Sequence, residues 1–142
     1  MPIVTTTVPS SIPSSTKPIF SDLDISFQKH PIKKDVARKL GSQAVIQSIR
    51  NLVLMNFYEK PFKPWIACNA RRLLFENLSP ITAAVLKDTI LDVIKNHEPR
   101  VNVSKISVTA NYDSNAYSVH MEFFITNQTE TTSVSFLLER IR

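Results

Sequence analysis

Pro99 constrains this chain more than any other residue, because it stands between a segment with helical periodicity and one with strand periodicity. It lacks an amide hydrogen and disfavours helical backbone at Glu98, so a helix arriving there must stop and leave extended. Residues two apart on an extended segment share a side, which lets Glu98 and Arg100 present a carboxylate and a guanidinium together. Position alone leaves two readings: a helix stop with solvated charges, or a rigid docking clamp.

The residues before this junction read as two main helices and a short one. Gly41, the single glycine, precedes a strong helical pattern, where a positive-φ corner or a close backbone approach is its natural use. Val45, Ile46, Ile49, Leu52 and Val53 then recur at three- and four-residue spacings, which predicts a helix over about 42–55, with Gln43, Gln47, Arg50 and Asn51 on its other side. Pro61 and Pro64 break the next stretch, and its aromatics Phe57, Tyr58, Phe62 and Trp65 predict an ordered loop pinned by buried rings, with a ligand pocket as the other option. A short helix is expected over 69–76, with Leu73, Leu74 and Phe75 inward. Ser79-Pro80 is helix-start chemistry, and Ile81, Val85, Leu86, Ile90, Val93 and Ile94 predict the core stripe of a helix reaching about residue 96, with Lys87 and Asp88 on the wet face.

Beyond Pro99 the period changes to two. Val101 and Val103 alternate in one phase and Ile106, Val108 and Ala110 in the other, so a bulge is expected at Ser104-Lys105. Asp113-Ser114-Asn115 predicts a hairpin turn. Tyr117, Val119, Met121, Phe123 and Ile125 alternate without a fault, with Phe124 the apolar exception outward. A turn over 127–131 leads to Val134, Phe136 and Leu138. The predicted class is α+β, two main helices plus a short helix packed on a small antiparallel sheet with a C-terminal three-stranded meander. An extended piece over 19–27 offers Phe20, Leu23, Ile25 and Phe27 for packing. Residues 1–18, rich in Ser, Thr and Pro with only Lys17 charged, read as an extended arm, leaving 19–142 as a single domain.

Several chemistries lack their residues. A single glycine excludes a Gly-rich phosphate loop. Cys68 is the only cysteine, so no intrachain disulfide forms, and it reads as packing in a reducing compartment. His30, His97 and His120 show no metal-ligand spacing, so no metal or other cofactor and no catalytic residue is assigned. No secretory h-region and no run near the roughly 20 apolar residues of a membrane helix is present. The expectation is a soluble protein without a recognisable export signal or membrane association. The net charge of +5 derives partly from Lys29, Lys33, Lys34, Arg38 and Lys39. Without stacking aromatics or a nucleic-acid motif this block reads as a solvated face or a contact for an acidic protein, not for nucleic acid.

The run from Gly41 to Arg100 resembles the baseplate wedge and sheath-initiator family of contractile-tailed bacteriophages, which has relatives in type VI secretion baseplates. The residues that carry it are Gly41-Ser42 leading to Ser48-Ile49-Arg50-Asn51-Leu52, then Pro61-Phe62-Lys63-Pro64, Leu74-Phe75-Glu76-Asn77 with Pro80-Ile81-Thr82-Ala83, and Glu98-Pro99-Arg100-Val101 as the hallmark. Glycines that such a chain would carry near Tyr58 and at Ala67 are absent, which leaves the shape of the intervening loop open.

The resemblance implies a structural virion protein, a late product and not an enzyme, one per wedge and six per baseplate, that starts contractile sheath assembly around the tail tube. It implies a location in the tail baseplate after assembly in the host cytoplasm. Glu98, Pro99 and Arg100 would dock on the wedge core, a helical bundle of neighbouring wedge proteins, with the tail tube a further candidate partner. An open strand edge, either at 134–139 with Val134, Phe136 and Leu138 or at 117–125, would pair with tail sheath subunits. From a different class comes a peptidoglycan-cleaving lysozyme, a label some family members have carried. Against it, Arg100 beside Glu98 favours the charged carboxylate, the wrong direction for a general acid.

Overall fold

The structure, a computed structural model, describes residues 20–126, 128 and 130–139. In chain order its elements are β1 (Ser21–Leu23), β2 (Arg38–Leu40), α1 (Ser42–Leu54), α2 (Ala70–Leu74), α3 (Pro80–His97), β3 (Val101–Asn111), β4 (Ala116–Ile125) and β5 (Thr131–Glu139). The expected arm over 1–18 and parts of the 127–131 turn lie outside the described residues. None of the described helices is long and apolar enough to cross a membrane.

Gly41 sets the start of α1. Its φ is 58° and its ψ −130°, a corner that side-chain-bearing residues rarely adopt. A Cβ there would meet nothing within 4 Å, so the need is conformational, not spatial. Val45, Ile49, Leu52 and Val53 of α1 are buried as their spacing predicts, and Ile46 packs beside them. Gln47 departs from expectation. It is buried rather than on the wet side, where its Nε2 donates to the carbonyl of Leu23 at 2.6 Å and ties α1 to β1.

The first turn of α3 shows why its core stripe differs from the periodic one. Ser79 Oγ accepts the Thr82 amide at 3.0 Å, and Thr82 Oγ1 donates to the carbonyl of Asn77 at 3.1 Å. This turns Thr82 and Ala83 inward, and Leu86, Ile90 and Ile94 complete the buried stripe. Ile81 and Val85, predicted as core, are instead 77% and 47% exposed.

The C-terminal half is the expected antiparallel meander, ordered β3-β4-β5. Its register shifts between Val103 and Lys105, where the change of phase predicts a bulge. Tyr117, Val119, Met121, Phe123 and Ile125 of β4 are all buried on the inner face, joined there by Phe136 and Leu138 of β5. All three helices contribute to the core against that face, with Val45, Ile49, Leu74, Leu86, Ile90 and Ile94 in one cluster with the strand residues. Each fully buried aliphatic side chain contributes about 1.5–3 kcal/mol. Asn111 Oδ1 accepts the amides of Asp113 and Ser114 at 3.2 and 3.4 Å, shaping the β3–β4 turn.

Three further expectations change. Leu23, Ile25 and Phe27 are exposed; β1 and β2 form a separate two-stranded sheet, too small to cover them, and only Phe20 packs on the core. Phe75 follows a five-residue helix, too short to bring it inward with Leu74, and is 60% exposed. The rings of the 56–68 loop do not pin it, because its own backbone closes it instead: the Tyr58 amide donates to the carbonyl of Pro64 at 2.9 Å.

Candidate docking surfaces

At the end of α3 the chain behaves as its proline demands. Glu98 leaves helical backbone with φ −127° and ψ 77°. It does not continue extended: the Val101 amide donates to the carbonyl of Glu98 at 3.2 Å, closing a tight turn that carries Pro99 at its exposed tip. That turn swings Arg100 back onto Glu98. Arg100 Nε donates to Oε1 at 2.5 Å and Nη2 to Oε2 at 2.7 Å, the two-pronged pairing that a planar guanidinium makes with a carboxylate.

A third donor comes from far away in sequence. Ser48 of α1 donates its hydroxyl to Glu98 Oε2 at 2.6 Å. The Glu98 residue is 3% exposed. Burial alone would push its carboxyl up, but the hydrogen bonds from Arg100 and Ser48 and the Arg100 charge outweigh it and hold the group below its ordinary 4.5. The hydrogen bonds to Glu98 raise Arg100, against its partial burial, with the negative charges of Glu98 and Asp22 adding to them. The Phe20 ring lies 5.4 Å from the guanidinium carbon and covers part of its face. The sequence brings Glu98 and Arg100 together, but from an extended segment rather than the turn found here, and it gives no sign of Ser48 and Phe20. Ser48 lay within the quoted Ser48-Ile49-Arg50 run, yet nothing local marks it as a partner fifty positions from Glu98.

The second predicted surface is a strand edge. β4 lies between β3 and β5, so the 117–125 strand has no open edge to offer, a correction of one of the two alternatives. The remaining edges are unequal. β3 carries the bulge and Lys105, the features that discourage edge pairing. β5 pairs regularly with β4 over nine residues and contains neither proline nor lysine. Phe136 and Leu138 are buried on its inner face and Val134 is half-buried, so these side chains fix the strand. Its second edge pairs with no further strand among the described residues, and its end, Leu137 to Glu139, shares a hollow with Leu54, Ala70 and Arg71 of the first two helices.

The remaining chemistry-bearing residues are dispersed. Among the described residues no group of three His, Cys, Asp or Glu side chains is placed to hold a metal ion. His120 sits on the outer sheet face with Ser135 Oγ 2.8 Å from Nδ1 and Glu122 Oε1 3.4 Å from Nε2. Cys68 is 2% exposed, and burial pushes its thiol up to about 11, against a weaker hydrogen bond involving Ala70, so it is packed rather than reactive. Lys29, Lys33, Lys34 and Arg38 are exposed on the segment spanning β1 and β2, while Lys39 reaches Asp24 at 3.6 Å.

No family model matches the chain. It is 30% identical over 107 residues to the baseplate wedge protein gp25 of Enterobacteria phage T4, covering 75% of this chain and 80% of that protein. Its fold is shared with a candidate tail lysozyme from Geobacter sulfurreducens, with a TM-score of 0.65 at 12% identity over 71% of this chain and 92% of the other. It is also shared with a chain of the anti-feeding prophage baseplate, with a TM-score of 0.60 at 16% identity over 87% of each.

Proposed function

Because this chain belongs to the family of the phage T4 baseplate wedge protein gp25, we propose that it is a structural component of a contractile-tail baseplate wedge that starts sheath assembly. The observation that carries the finer reading is the edge of β5, which pairs with no further strand among the described residues and is fixed from behind by Phe136 and Leu138. A strand from a first sheath subunit can extend the meander there, gaining backbone hydrogen bonds for its whole length. The stiff corner at Glu98, Pro99 and Arg100 serves as the second grip. Its carboxylate is satisfied within the chain, so what it offers the helical wedge core is shape and residual charge: exposed Pro99 and the outward third of Arg100, whose Nη1 takes no part in the pair.

In this reading six copies ring the tail tube, located in the virion and assembled in the host cytoplasm. Hydrogen exchange on the chain before and after sheath subunits are added tests it. Amides of 131–139 should gain protection while those of 101–111 stay unchanged, and equal behaviour of the two edges would contradict it.

A further inference from the structure

The 57–65 loop is built at a conformational cost and shows its aromatic rings to solvent. Phe57, Tyr58, Phe62 and Trp65 are 45%, 86%, 97% and 64% exposed. Tyr58 and Phe62 sit at φ 69° and 67°, left-handed backbone that is strained for bulky side chains and easy for glycine. The backbone at Tyr58 thus holds a glycine-like conformation while carrying a ring. Strain retained at an exposed ring serves no packing.

The loop is nevertheless ordered from within. The Tyr58 amide bonds Pro64, the Lys63 amide bonds the carbonyl of Lys60 at 3.4 Å, and Pro61 and Pro64 fix two more φ angles. Its one acid is exposed but already engaged: Glu59 accepts from the Asn56 amide at 2.9 Å and from Asn56 Nδ2 at 2.7 Å. Arg71 lies within electrostatic reach of the same carboxylate. The loop therefore shows two exposed cations, Lys60 and Lys63, against one carboxylate bonded to Asn56, with exposed Arg71 adding positive charge beside it.

We propose that this loop is a third docking surface, which seats Tyr58, Phe62 and Trp65 in an apolar hollow with an acidic rim on a neighbouring protein of the assembly. Exposed, pre-ordered Tyr, Trp and Phe are the side chains that carry most of the free energy at protein interfaces, and little entropy is lost when such a loop binds. The sign of the partner follows from the excess of Lys60, Lys63 and the adjacent Arg71 over the single carboxylate of Glu59. A nucleic-acid track is a poorer match, since the rings are confined to one closed loop with two cations and no extended phosphate path. The inference rests on the baseplate reading but not on either surface that the family pattern points to.

The test is incorporation of the full chain into assembled tails, counted by quantitative mass spectrometry, for wild type, the double variant Tyr58→Gly/Phe62→Gly and the charge reversal Lys60→Glu/Lys63→Glu. Glycine relieves the strain, so the first variant, which removes two aromatic anchors, should melt no lower than wild type yet incorporate at least about tenfold less. The charge reversal should lose a similar factor. A lowered melting temperature for the glycine variant would make the rings structural and overturn the proposal, as would wild-type incorporation of either variant. Binding of the isolated protein to duplex DNA or to cell walls that both variants abolish would overturn it in favour of those ligands. Absence of wild-type protein from tails would instead remove the baseplate reading itself.

Discussion

Ser48 and Glu98, fifty positions apart, are joined by a 2.6 Å hydrogen bond that locks the middle of α1 to the exit of α3. With the two bonds from Arg100 it leaves a carboxylate at 3% exposure fully partnered, and a buried anion is tolerated only on that condition.

Removing either partner should therefore lower stability, in a fixed order. Ser48→Ala leaves the Arg100 fork intact and should cost about 1.5 kcal/mol, the range for a hydrogen bond to a charged group. Arg100→Ala leaves the charge unmatched and should cost about 2–3 kcal/mol, below the value for a fully buried pair because a third of the Arg100 side chain meets water. Urea unfolding of the two variants gives the order directly.

The same pairing sets an acid limit. Glu98 has a folded value below its ordinary 4.5, so its contribution is present in full above that pH and is lost as pH falls through the lowered folded value. Asp24 and Glu59 are shifted the same way by hydrogen bonds from Ser26 and Asn56, so their contributions are likewise lost as pH falls. The urea midpoint followed against pH should fall below about pH 4.5, and Glu98→Gln should flatten that fall without removing it.

The face of α3 can be checked with one substitution made twice. Ile90, fully buried, should cost about 3 kcal/mol as Ile90→Ala, with a cavity left behind. Ile81, 77% exposed, should cost less than about 0.5 kcal/mol as Ile81→Ala. Similar losses at the two sites would mean that the helix is rotated from the face described.

Purified protein should leave a cell-wall suspension turbid. A glycosidase needs a carboxylic acid kept protonated near neutral pH, and Glu98 is held as an anion by Arg100 and Ser48. Sustained clearing that Glu98→Gln abolishes would assign the fold a hydrolytic role instead.

Much of this architecture is legible in the sequence because it is local. The Gly41 corner, the Ser79-Pro80 start, the proline stop and the phase slip before Lys105 each follow from a few adjacent residues. What escaped depends on longer reach. The inward turn of Thr82 and Ala83 is set by hydroxyl bonds to Ser79 and Asn77, which shift the buried stripe away from Ile81 and Val85 without changing its period. Gln47 looks like a wet-face residue until the β1 carbonyl of Leu23 is placed over it. Aromatic density in the 56–68 loop signals burial by composition alone, but the loop is closed by backbone bonds and needs none. Of the candidate surfaces, the closeness of Glu98 and Arg100 was legible, but the spacing argument assumed an extended segment where the chain makes a turn. The choice of β5 over β4 needed the strand order.

The most direct measurement is a density map of an assembled tail at side-chain resolution. The account predicts a strand from a sheath subunit hydrogen-bonded along 131–139, with Pro99 and the outer side of Arg100 covered by helices of neighbouring wedge proteins. A map in which the β5 edge faces solvent and Pro99 is bare would contradict it.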